Sequence, residues 1–439
     1  MQDGGMTAEP SHPPEAEVVE ICRDLIRFDT SNYGNNEGPG ERKAAEHVAS
    51  LLDEVGIEAE LFESQPGRTT LVARWGDHSA GDALLVHGHL DVVPAQATDW
   101  QVDPFAGEIQ DGYLWGRGAI DMKDFDAMVL SVVRARTRAG RIPGRPIVLC
   151  FTADEEAGGL YGARWLAEHH RDALEGCSEA IGEVGGYSVT LNGQRLYLIQ
   201  TAEKGMVWLK LRAKGAAGHG SLLQERNPIT ALAEAVARVG RHSWPVEITD
   251  TMTALLAEIA DITGDAASDL DRVLGHFGPQ RRMLGAALRN TSNPTMLEAG
   301  YKLNVVPGEA VAYVDGRFLP GDRDEFLRTI TELIGDAVDL EVVHEDVALE
   351  APFEGHLIEA MCSALLEHDP GARVAPYLMF GGTDAKSWSR IGIPGYGFSP
   401  LRLPDDLDFS ALFHGVDERV PIDALEFGAR VLDRFLDLA

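Results

Sequence analysis

The chain has 439 residues, of which 44% are hydrophobic and 25% are charged, which is typical of a globular protein but too long for one compact core. Its 70 acidic and 38 basic residues give a formal net charge of −32. This acidic excess argues against nucleic acid or an anionic membrane surface as a partner, because the attraction to phosphate would have the wrong sign. No apolar run reaches the length of about 18 residues that a membrane-spanning helix needs.

The N-terminal segment and the spacing of the cysteines both bear on the cellular location of the protein. The first 15 residues are predicted to be a disordered tail, and they lack the basic and apolar segments of a signal peptide. The cysteines are widely spaced, form no CxxC pair, and are Cys22, Cys150, Cys177 and Cys362. Such spacing is typical of reduced thiols, so we predict a cytoplasmic protein.

The first half of the chain alternates helical and extended patterns. Apolar residues recur at helical spacing over 15–28, 41–55, 124–137 and 161–169, and extended patterns cover 69–75, 83–93, 146–156 and 179–184. Alternation of this kind predicts an α/β sheet with substantial parallel character.

The middle of the chain changes character. Residues 195–215 form a long extended stretch that is interrupted at Glu203–Gly205. Helical patterns follow at 228–239 and 251–262, extended patterns at 296–307 and 309–319, and helical patterns again at 323–336 and 421–438. We therefore predict a catalytic domain made of residues 1–203 and 319–439, with residues 204–318 forming an inserted α+β domain.

One extended stretch raises a metal-site question. In "LLVHGHLDVVP" (84–94), His87, His89 and Asp91 alternate, which in a strand puts all three on one face, so any of them could bind metal. The same pattern begins the zinc motif of metallo-β-lactamase-like hydrolases. That motif needs a histidine directly after Asp91, and this position is Val92.

Other segments place acids, histidines and glycines at predicted strand ends. They are "GRGAIDMKD" (116–124), "FTADEEAGG" (151–159), "GEVGG" (182–186) and "LFHGVDE" (412–418). Acids that directly follow an apolar run are costly unless paired or liganded, and ligands of open α/β sheets bind at the carboxyl ends of strands. Histidines combined with carboxylates suit Zn²⁺, Co²⁺ or Mn²⁺.

Taken in this order, the five segments resemble the M20 metallopeptidase family, which contains aminoacylase, carboxypeptidase G2, acetylornithine deacetylase and succinyl-diaminopimelate desuccinylase. The resemblance extends from Val18 to the end of the chain. It implies a zinc-peptidase-like catalytic domain with a mixed, mostly parallel sheet flanked by helices. It also implies an inserted α+β two-layer sandwich that acts as lid and dimerisation domain, so a homodimer through this domain is expected.

The resemblance further implies a site for two divalent metal ions. Zn²⁺ is the expected metal, with Co²⁺ or Mn²⁺ as alternatives. His89 and Glu183 would bind one ion, Glu156 and His414 would bind the other, and Asp121 would bridge them.

The same resemblance assigns roles to the neighbours of these ligands. Asp91 would orient the ring of His89, and Glu155 would be the general base. His87 lies outside the matched motif, and we expect a structural role for it.

The substrate would be held by residues farther along the chain. His219 would donate to the tetrahedral oxyanion, and in dimeric members this histidine reaches the partner's active site. Asn304 resembles another such contributor, and Arg317 would bind a substrate carboxylate through its planar fork. Gly381, Gly382 and Thr383 would offer backbone N–H groups to the same end of the substrate.

The sequence departs from the common family pattern in places. Asp124 stands where glycine often occurs, and the segment 243–290 is longer than a minimal lid domain needs. Glu179 is a nearby alternative to Glu183. The family also carries a cis peptide after the bridging aspartate, here Asp121–Met122.

The resemblance implies a two-metal amidohydrolase that cleaves the amide or peptide bond of small carboxylate-bearing substrates, such as N-acyl amino acids or dipeptides. Succinyl-diaminopimelate desuccinylase or acetylornithine deacetylase activity is the nearest alternative. A metallo-β-lactamase-like hydrolase and a non-catalytic paralogue that binds metal or peptide are more distant ones.

Overall fold

The computed structural model describes residues 13–278 and 281–439. The predicted tail of residues 1–15 falls mostly outside this range. At its end, the carbonyl of Pro14 accepts a hydrogen bond from the hydroxyl of Ser131, and Glu15 pairs with Arg430. No helix in the described residues is long and apolar enough to cross a bilayer.

The helices occur in both halves of the chain. They are α1 (Val18–Ile26), α2 (Arg42–Asp53), α3 (Lys123–Arg138), α4 (Ala163–His169), α5 (Pro228–Arg241), α6 (Asp250–Thr263), α7 (Leu270–Gly275), α8 (Arg281–Ala287), α9 (Arg323–Ile334), α10 (His356–His368), α11 (Ala385–Arg390) and α12 (Ile422–Leu438).

The strands are distributed over several sheets. They are β1 (Ala59–Gln65), β2 (Arg68–Trp75), β3 (Ala83–His89), β4 (Glu108–Gln110), β5 (Tyr113–Trp115), β6 (Ile147–Thr152), β7 (Cys177–Gly182), β8 (Tyr187–Leu191), β9 (Gln194–Glu203), β10 (Gly205–Lys214), β11 (Gly218–His219), β12 (Thr291–Ala299), β13 (Val305–Val306), β14 (Glu309–Phe318), β15 (Asp339–Asp346), β16 (Leu349–Glu350), β17 (Arg373–Met379), β18 (Gly395–Gly397) and β19 (Arg419–Pro421).

The chain divides into two compact units. The first unit runs to Gln200 and resumes over Pro352–Ala375 and Thr383–Ala439, whereas the second contains Thr201–Ala351 and Pro376–Gly382. The chain returns to the first unit at Pro352 rather than at the predicted residue 319, and one helix (α9) and two strands (β15 and β16) lie between these positions. The physical reason is that β15 pairs antiparallel with β10 and that α9 packs on the sheet of the second unit.

The first unit is built on a mixed sheet whose strand order is β1-β2-β6-β3-β7-β18-β9, with β8 also paired to β9. The pairs β6–β3, β3–β7 and β7–β18 are parallel. Antiparallel pairs flank them, including β2–β6 and β18–β9. The mixed sheet is confirmed, and its four central strands β6, β3, β7 and β18 run parallel to one another.

Helix α3 is the most deeply buried helix beside this sheet. It packs against α1 and α12, and its residues from Lys123 to Arg136 are all buried. Basic residues in its last turn, Arg136 and Arg138, complement the helix dipole. Arg136 is held by Asp433 and Asp437 of α12, so the last helix of the chain is tied to the middle of the unit.

The second unit is a two-layer α+β sandwich. Its antiparallel sheet has the order β12-β14-β10-β15, and α5 and α9 pack on one face. Along β10, Val207, Leu209 and Leu211 point into this core while the residues between them are more exposed, as the two-residue period of a strand requires. The long segment 243–290 supplies α6, α7 and α8.

The sequence placed most elements of the first half correctly but extended two strands too far. The predicted strand 83–93 ends at His89, and the predicted strand 146–156 ends at Thr152. Between residues 337 and 420 no helix or strand was assigned from the sequence, and the structure forms two helices and several strands there. Strands β16 and β18 have only two and three residues, too few to show a periodicity, whereas β15 and β17 have eight and seven.

Candidate metal centre

Three neighbouring parallel strands end at one edge of the first unit's sheet. Strand β3 ends with His89, β6 leads into a 3₁₀ turn over Glu155–Ala157, and β7 is followed directly by Glu183. Because parallel strands end at the same edge, the side chains that follow them are brought together. Residues far apart in the sequence thus form one cluster.

Two loops complete the cluster. Asp121 lies in the turn that precedes α3, and the Asp121–Met122 peptide is cis, as the family resemblance implies. His414 lies in the loop between β18 and β19 and has a positive φ of 57°. A buried ion pair joins the two loops: Arg117 contacts Glu418, donates to the Gly415 carbonyl at 2.9 Å, and thereby holds the His414 loop.

Asp121 stands between the two histidines. Its Oδ1 lies 3.2 Å from Nε2 of His89, and its Oδ2 lies 3.1 Å from Nε2 of His414. The same nitrogen of His414 is 3.1 Å from Oε2 of Glu156, and that of His89 is 3.6 Å from Oε2 of Glu183. The carboxylate of Asp121 therefore offers one oxygen to each histidine. A second carboxylate lies beside each histidine as well.

The electrostatics of the cluster show how strongly its charges interact. Burial and the nearby Asp121 carboxylate raise the pKa of Glu156 to about 7, and burial and Glu183 raise that of Glu155 well above its ordinary value. Hydrogen bonds to Asp121 and Glu156 raise the pKa of His414 to about 10. Burial opposes a charge on His89, but Glu183 and Asp121 raise its pKa well above the usual range. The site thus has a strong demand for positive charge.

Divalent cations would meet that demand. The ligand atoms of His89, Asp121 and Glu156 lie within 4.8 Å of one another, and so do those of His89, Glu155 and Glu183. Imidazole nitrogens and carboxylate oxygens are donors that Zn²⁺, Co²⁺ and Mn²⁺ accept. The residues present therefore fit a site for such ions.

The side chain of Asp91 contacts a different group from the one expected. Nδ1 of His89 lies 2.9 Å from the backbone carbonyl of Asp91 and 3.7 Å from its carboxylate. The carboxylate instead accepts hydrogen bonds from the backbone N–H groups of Glu155 at 3.0 Å and Glu156 at 3.1 Å. Because β3 ends at His89, Asp91 is no longer in the alternating strand and turns toward these amides. Asp91 thus orients the turn that carries Glu155 and Glu156.

Two residues near the candidate ligands in sequence, His87 and Glu179, contact other groups in the structure. His87 is buried, and its ring packs edge-on against Trp388 with centroids 5.8 Å apart. Glu179 lies within β7 and pairs with Arg145 at 2.7 Å. Of the two glutamates in that region, Glu183 is the one that lies in the cluster.

The residues assigned to the substrate lie in a different part of the chain. His219, Asn304, Arg317, Gly381 and Gly382 belong to the second unit and Thr383 to the first. His219 on β11 and Asn304 before β13 are neighbours, since the N–H of Gly220 donates to the Asn304 carbonyl at 2.9 Å. His219 and Asn304 are both exposed.

Two of the remaining substrate candidates, Arg317 and Thr383, have local partners. Arg317 forms a two-point ion pair with Asp315 on the same strand, with distances of 2.8 and 2.9 Å. The Thr383 hydroxyl accepts the N–H of Ala385 at 3.1 Å at the start of α11.

Several buried polar residues around the cluster were not found from the sequence. Thr152 donates to the Asp384 carboxylate, and burial raises the pKa of Asp384 to about 8. Arg117 and Glu418 join the two loops described above, and Asn32 donates to Asp91. Arg117, Thr152 and Glu418 lie within the segments 116–124, 151–159 and 412–418, but neither their burial nor their partners leave a local signal in the sequence. Asn32 and Asp384 lie outside these segments.

Comparison with known proteins agrees with the fold and the cluster. A model of peptidase family M20/M25/M40 matches residues 85–438, so the chain belongs to this family and is a hydrolase of the peptidase and amidohydrolase type. The N-fatty-acyl-amino acid synthase/hydrolase PM20D1 of Xenopus tropicalis is 28% identical over 448 residues, which cover 96% of this chain and 85% of that protein.

Two further proteins are similar over nearly their whole length. The succinyl-diaminopimelate desuccinylase of Rhodospirillum centenum is 29% identical over 436 residues, covering 95% of this chain and 97% of that protein. The M20 family metallo-carboxypeptidase Sso-CP2 of Sulfolobus solfataricus has the same fold, with a TM-score of 0.73, 18% identity, and coverage of 96% of this chain and 99% of that one.

Proposed function

We propose that this protein hydrolyses the amide or peptide bond of small carboxylate-bearing substrates, either N-acyl amino acids or dipeptides, with the help of two divalent metal ions. The position of Asp121, with one oxygen facing each histidine, is the observation that carries the proposal. The similarity to an N-fatty-acyl-amino acid synthase/hydrolase supports the N-acyl amino acid class. Desuccinylase activity is the second candidate, favoured by the similarity to the R. centenum enzyme over 97% of its length.

The ligands would divide into two sets that share Asp121. His89 and Glu183 would hold one ion, and His414 and Glu156 the other, with Zn²⁺ as the expected metal and Co²⁺ or Mn²⁺ as alternatives. When bound, such ions lower the pKa of a shared water and polarise the scissile carbonyl.

Glu155 would act as the general base. It is next to Glu156 in the 3₁₀ turn and its carboxylate reaches the ligand atoms of His89 and Glu183. Its raised pKa suits a group that takes a proton from the attacking water and then delivers it to the leaving amine.

The second unit would supply substrate contacts and act as lid and dimerisation domain. His219 would donate a hydrogen bond to the tetrahedral oxyanion, assisted by Asn304. Arg317 would bind the substrate carboxylate, and the backbone of Gly381, Gly382 and Thr383 would contact the same end. The four thiols are free, which supports a cytoplasmic location.

A hydrolysis assay on a panel of N-acyl amino acids, dipeptides and N-succinyl-diaminopimelate tests this function. The metal-stripped protein would be assayed with Zn²⁺, Co²⁺ or Mn²⁺ added back. Glu155→Ala is expected to retain metal and to lose about 10²–10⁴-fold in kcat, the usual contribution of general acid–base catalysis. Near-normal turnover by this variant, or no turnover of any panel member by the wild type, would contradict the proposal.

A further inference from the structure

The buried side chain of Asn32 links two carboxylates that lie next to the turn over Glu155–Ala157. The Nδ2 group of Asn32 donates to Oδ2 of Asp91 at 2.9 Å and to Oδ1 of Asp154 at 3.0 Å. Asn32 is 4% exposed, and the carboxylates of Asp91 and Asp154 are buried as well. An amide NH₂ has two hydrogens, so each of the two carboxylates receives one of them.

The carbonyl end of the Asn32 amide is also occupied. Its Oδ1 accepts from Nη2 of Arg68 at 2.9 Å and from the N–H of Gly34 at 3.0 Å. Arg68 is itself buried, and it is ion-paired with Glu41 and donates to the Glu37 carbonyl at 2.9 Å. Because Arg68 can only donate, its contact fixes which end of the Asn32 amide faces Asp91 and Asp154.

The backbone of Asn32 is positioned by the segment that follows β3. The N–H of Asn32 donates to the Val92 carbonyl at 2.9 Å, and the N–H of Val92 donates to the Thr30 carbonyl at 3.2 Å. Residues 30–32 thus run alongside residues 90–92, which carry Asp91. The side chain of Asn32 therefore has little freedom to move away from its two carboxylates.

Asp91 supports the turn that carries Glu155 and Glu156 through its carboxylate, and Asp154 through its backbone carbonyl, which accepts the N–H of Ala157 at 3.2 Å. Asp91 accepts the two backbone N–H groups of that turn. Asp154 directly precedes it, has a positive φ of 65°, and accepts the N–H of Tyr161 at 2.9 Å through its other oxygen. Asn32 connects these two residues, because its side chain donates to both carboxylates.

We propose that Asn32 and Arg68 are positioning residues for the reaction, which set the placement of Glu155 and Glu156 through Asp91 and Asp154. The inference rests on the proposed function, in which Glu155 is the general base and Glu156 a metal ligand. Neither Asn32 nor Arg68 reaches the reacting atoms through any of these contacts. Their effect passes through the backbone of the turn.

Asn32→Asp tests this inference most directly. The aspartate has nearly the same shape, but it replaces the two N–H donors with a carboxylate oxygen that repels Asp91 and Asp154. Asn35→Asp is the matched control, because Asn35 is exposed three residues away and its φ of 50° is one that aspartate also tolerates. Both variants change the charge equally.

Two readouts separate positioning from general stability. We expect Asn32→Asp to lower kcat about tenfold or more with KM changed less than about twofold, the size of effect that residues behind metal ligands usually have. We also expect calorimetric titration of the metal-stripped protein with Co²⁺ to show one of two binding steps weakened about tenfold or more. Asn35→Asp should leave both readouts within about twofold of the wild type.

Two further variants keep the test decisive if Asn32→Asp does not fold. Asn32→Ala removes the donors without adding charge, and Arg68→Lys keeps the charge but loses the planar fork. Both are expected to show the same pattern, with Arg68→Lys giving the smaller loss. If all folded variants match Asn35→Asp in kcat and in Co²⁺ affinity, the inference is overturned.

The same measurements distinguish failure of the positioning role from failure of the proposed hydrolase function. If the wild type is active, Glu155→Ala is inactive and Asn32→Asp behaves as Asn35→Asp does, the function stands and only the positioning role fails. If the wild type hydrolyses nothing, the proposed function fails. The Co²⁺ titration then still decides whether Asn32 supports the site.

Discussion

The imidazole of His87 occupies the space that a side chain at position 182 would need. A Cβ added to Gly182 would lie 2.4 Å from Cε1 of the His87 ring. Burial, and secondarily the nearby His89, lower the pKa of His87 to about 3, so its ring is neutral at neutral pH. His87, two residues before the candidate ligand His89, is thus packed as a neutral ring against Gly182, the residue that directly precedes Glu183.

Replacing Gly182 with alanine should therefore disturb both packing and metal binding. Overpacking of a buried site typically costs about 1–3 kcal/mol of unfolding free energy, which chemical denaturation would measure. Glu183 should also shift, so we expect weaker Co²⁺ binding. Gly144→Ala is the control, because nothing lies within 4 Å of its added Cβ. Equal stability and equal metal affinity in the two variants would show that the ring of His87 yields easily.

Metal removal should make the stability of the protein depend strongly on pH. With a pKa raised to about 7, Glu156 keeps a proton in the native state that the unfolded chain loses near pH 4.5, so stability falls as pH rises between these values. His414, raised to about 10, holds a proton in the native state above pH 6.5, so its contribution to stability is also lost as pH rises from there. Each such group contributes a slope of up to about 1.4 kcal/mol per pH unit.

Thermal unfolding between pH 5 and 9 measures this effect. The chelator-treated protein should lose Tm steadily as pH rises, whereas the metal-loaded protein should show a much flatter profile, because bound cations replace the protons. Parallel profiles with and without chelator would mean that the cluster does not bind metal over this range.

Asp126→Asn should reduce the part of the pH dependence of stability that remains in the metal-loaded protein. Both carboxylate oxygens of Asp126 are buried without a hydrogen-bond partner in the described part of the chain, and burial raises the pKa of Asp126 well above its ordinary value. The native state therefore keeps a proton that the unfolded chain loses near pH 3.8, and stability falls as pH rises above that value. Asparagine cannot ionise, so this loss disappears.

Chemical denaturation at pH 5 and pH 8 would measure the difference between Asp126→Asn and the wild type. We expect the variant to gain stability relative to the wild type at the higher pH. Asp336→Asn, on the exposed surface, controls for the change in net charge. A relative stability that falls toward pH 8 would show that Asp126 is ionised in the native protein.

Arg317→Ala should mainly weaken the binding of substrates that carry a free carboxylate. A charge-assisted contact of this kind contributes about 1.5–3 kcal/mol, so we expect KM to rise about tenfold or more with a smaller change in kcat. In the structure the fork of Arg317 is paired with Asp315, which also accepts from the indole N–H of Trp208 at 3.1 Å. Asp315→Asn weakens that competing pair and should leave KM equal or lower. An unchanged KM in Arg317→Ala would remove the arginine from the substrate site.

The sequence predicted the candidate ligands because each lies in a short segment that resembles a motif of the M20 family. Local patterns alone placed acids and histidines at strand ends but left His87, His89 and Asp91 open as possible ligands. Asp91 was found through the same resemblance. Its partners were not, because the strand ends two residues before it and its carboxylate turns toward backbone amides.

The supports of the site could not be predicted in this way. Asn32 lies 59 residues before Asp91, and Arg68 lies 36 residues after Asn32, so no local spacing connects them. The end of the second unit was missed for a related reason. Strand β15 joins that unit through pairing with β10, and nothing in its local sequence reveals which strand it will join.

The position of His414 near the end of the chain has a consequence for biosynthesis. His89, Asp121, Glu156 and Glu183 all emerge from the ribosome well before it, since synthesis proceeds from the N-terminus. Under the proposed assignment, the ligands of one ion are complete in a half-made chain, whereas those of the other must await its last segment. Translation would thereby supply the ligands of one ion before those of the other, while the fold that holds both sets still awaits α12, the last helix to be made.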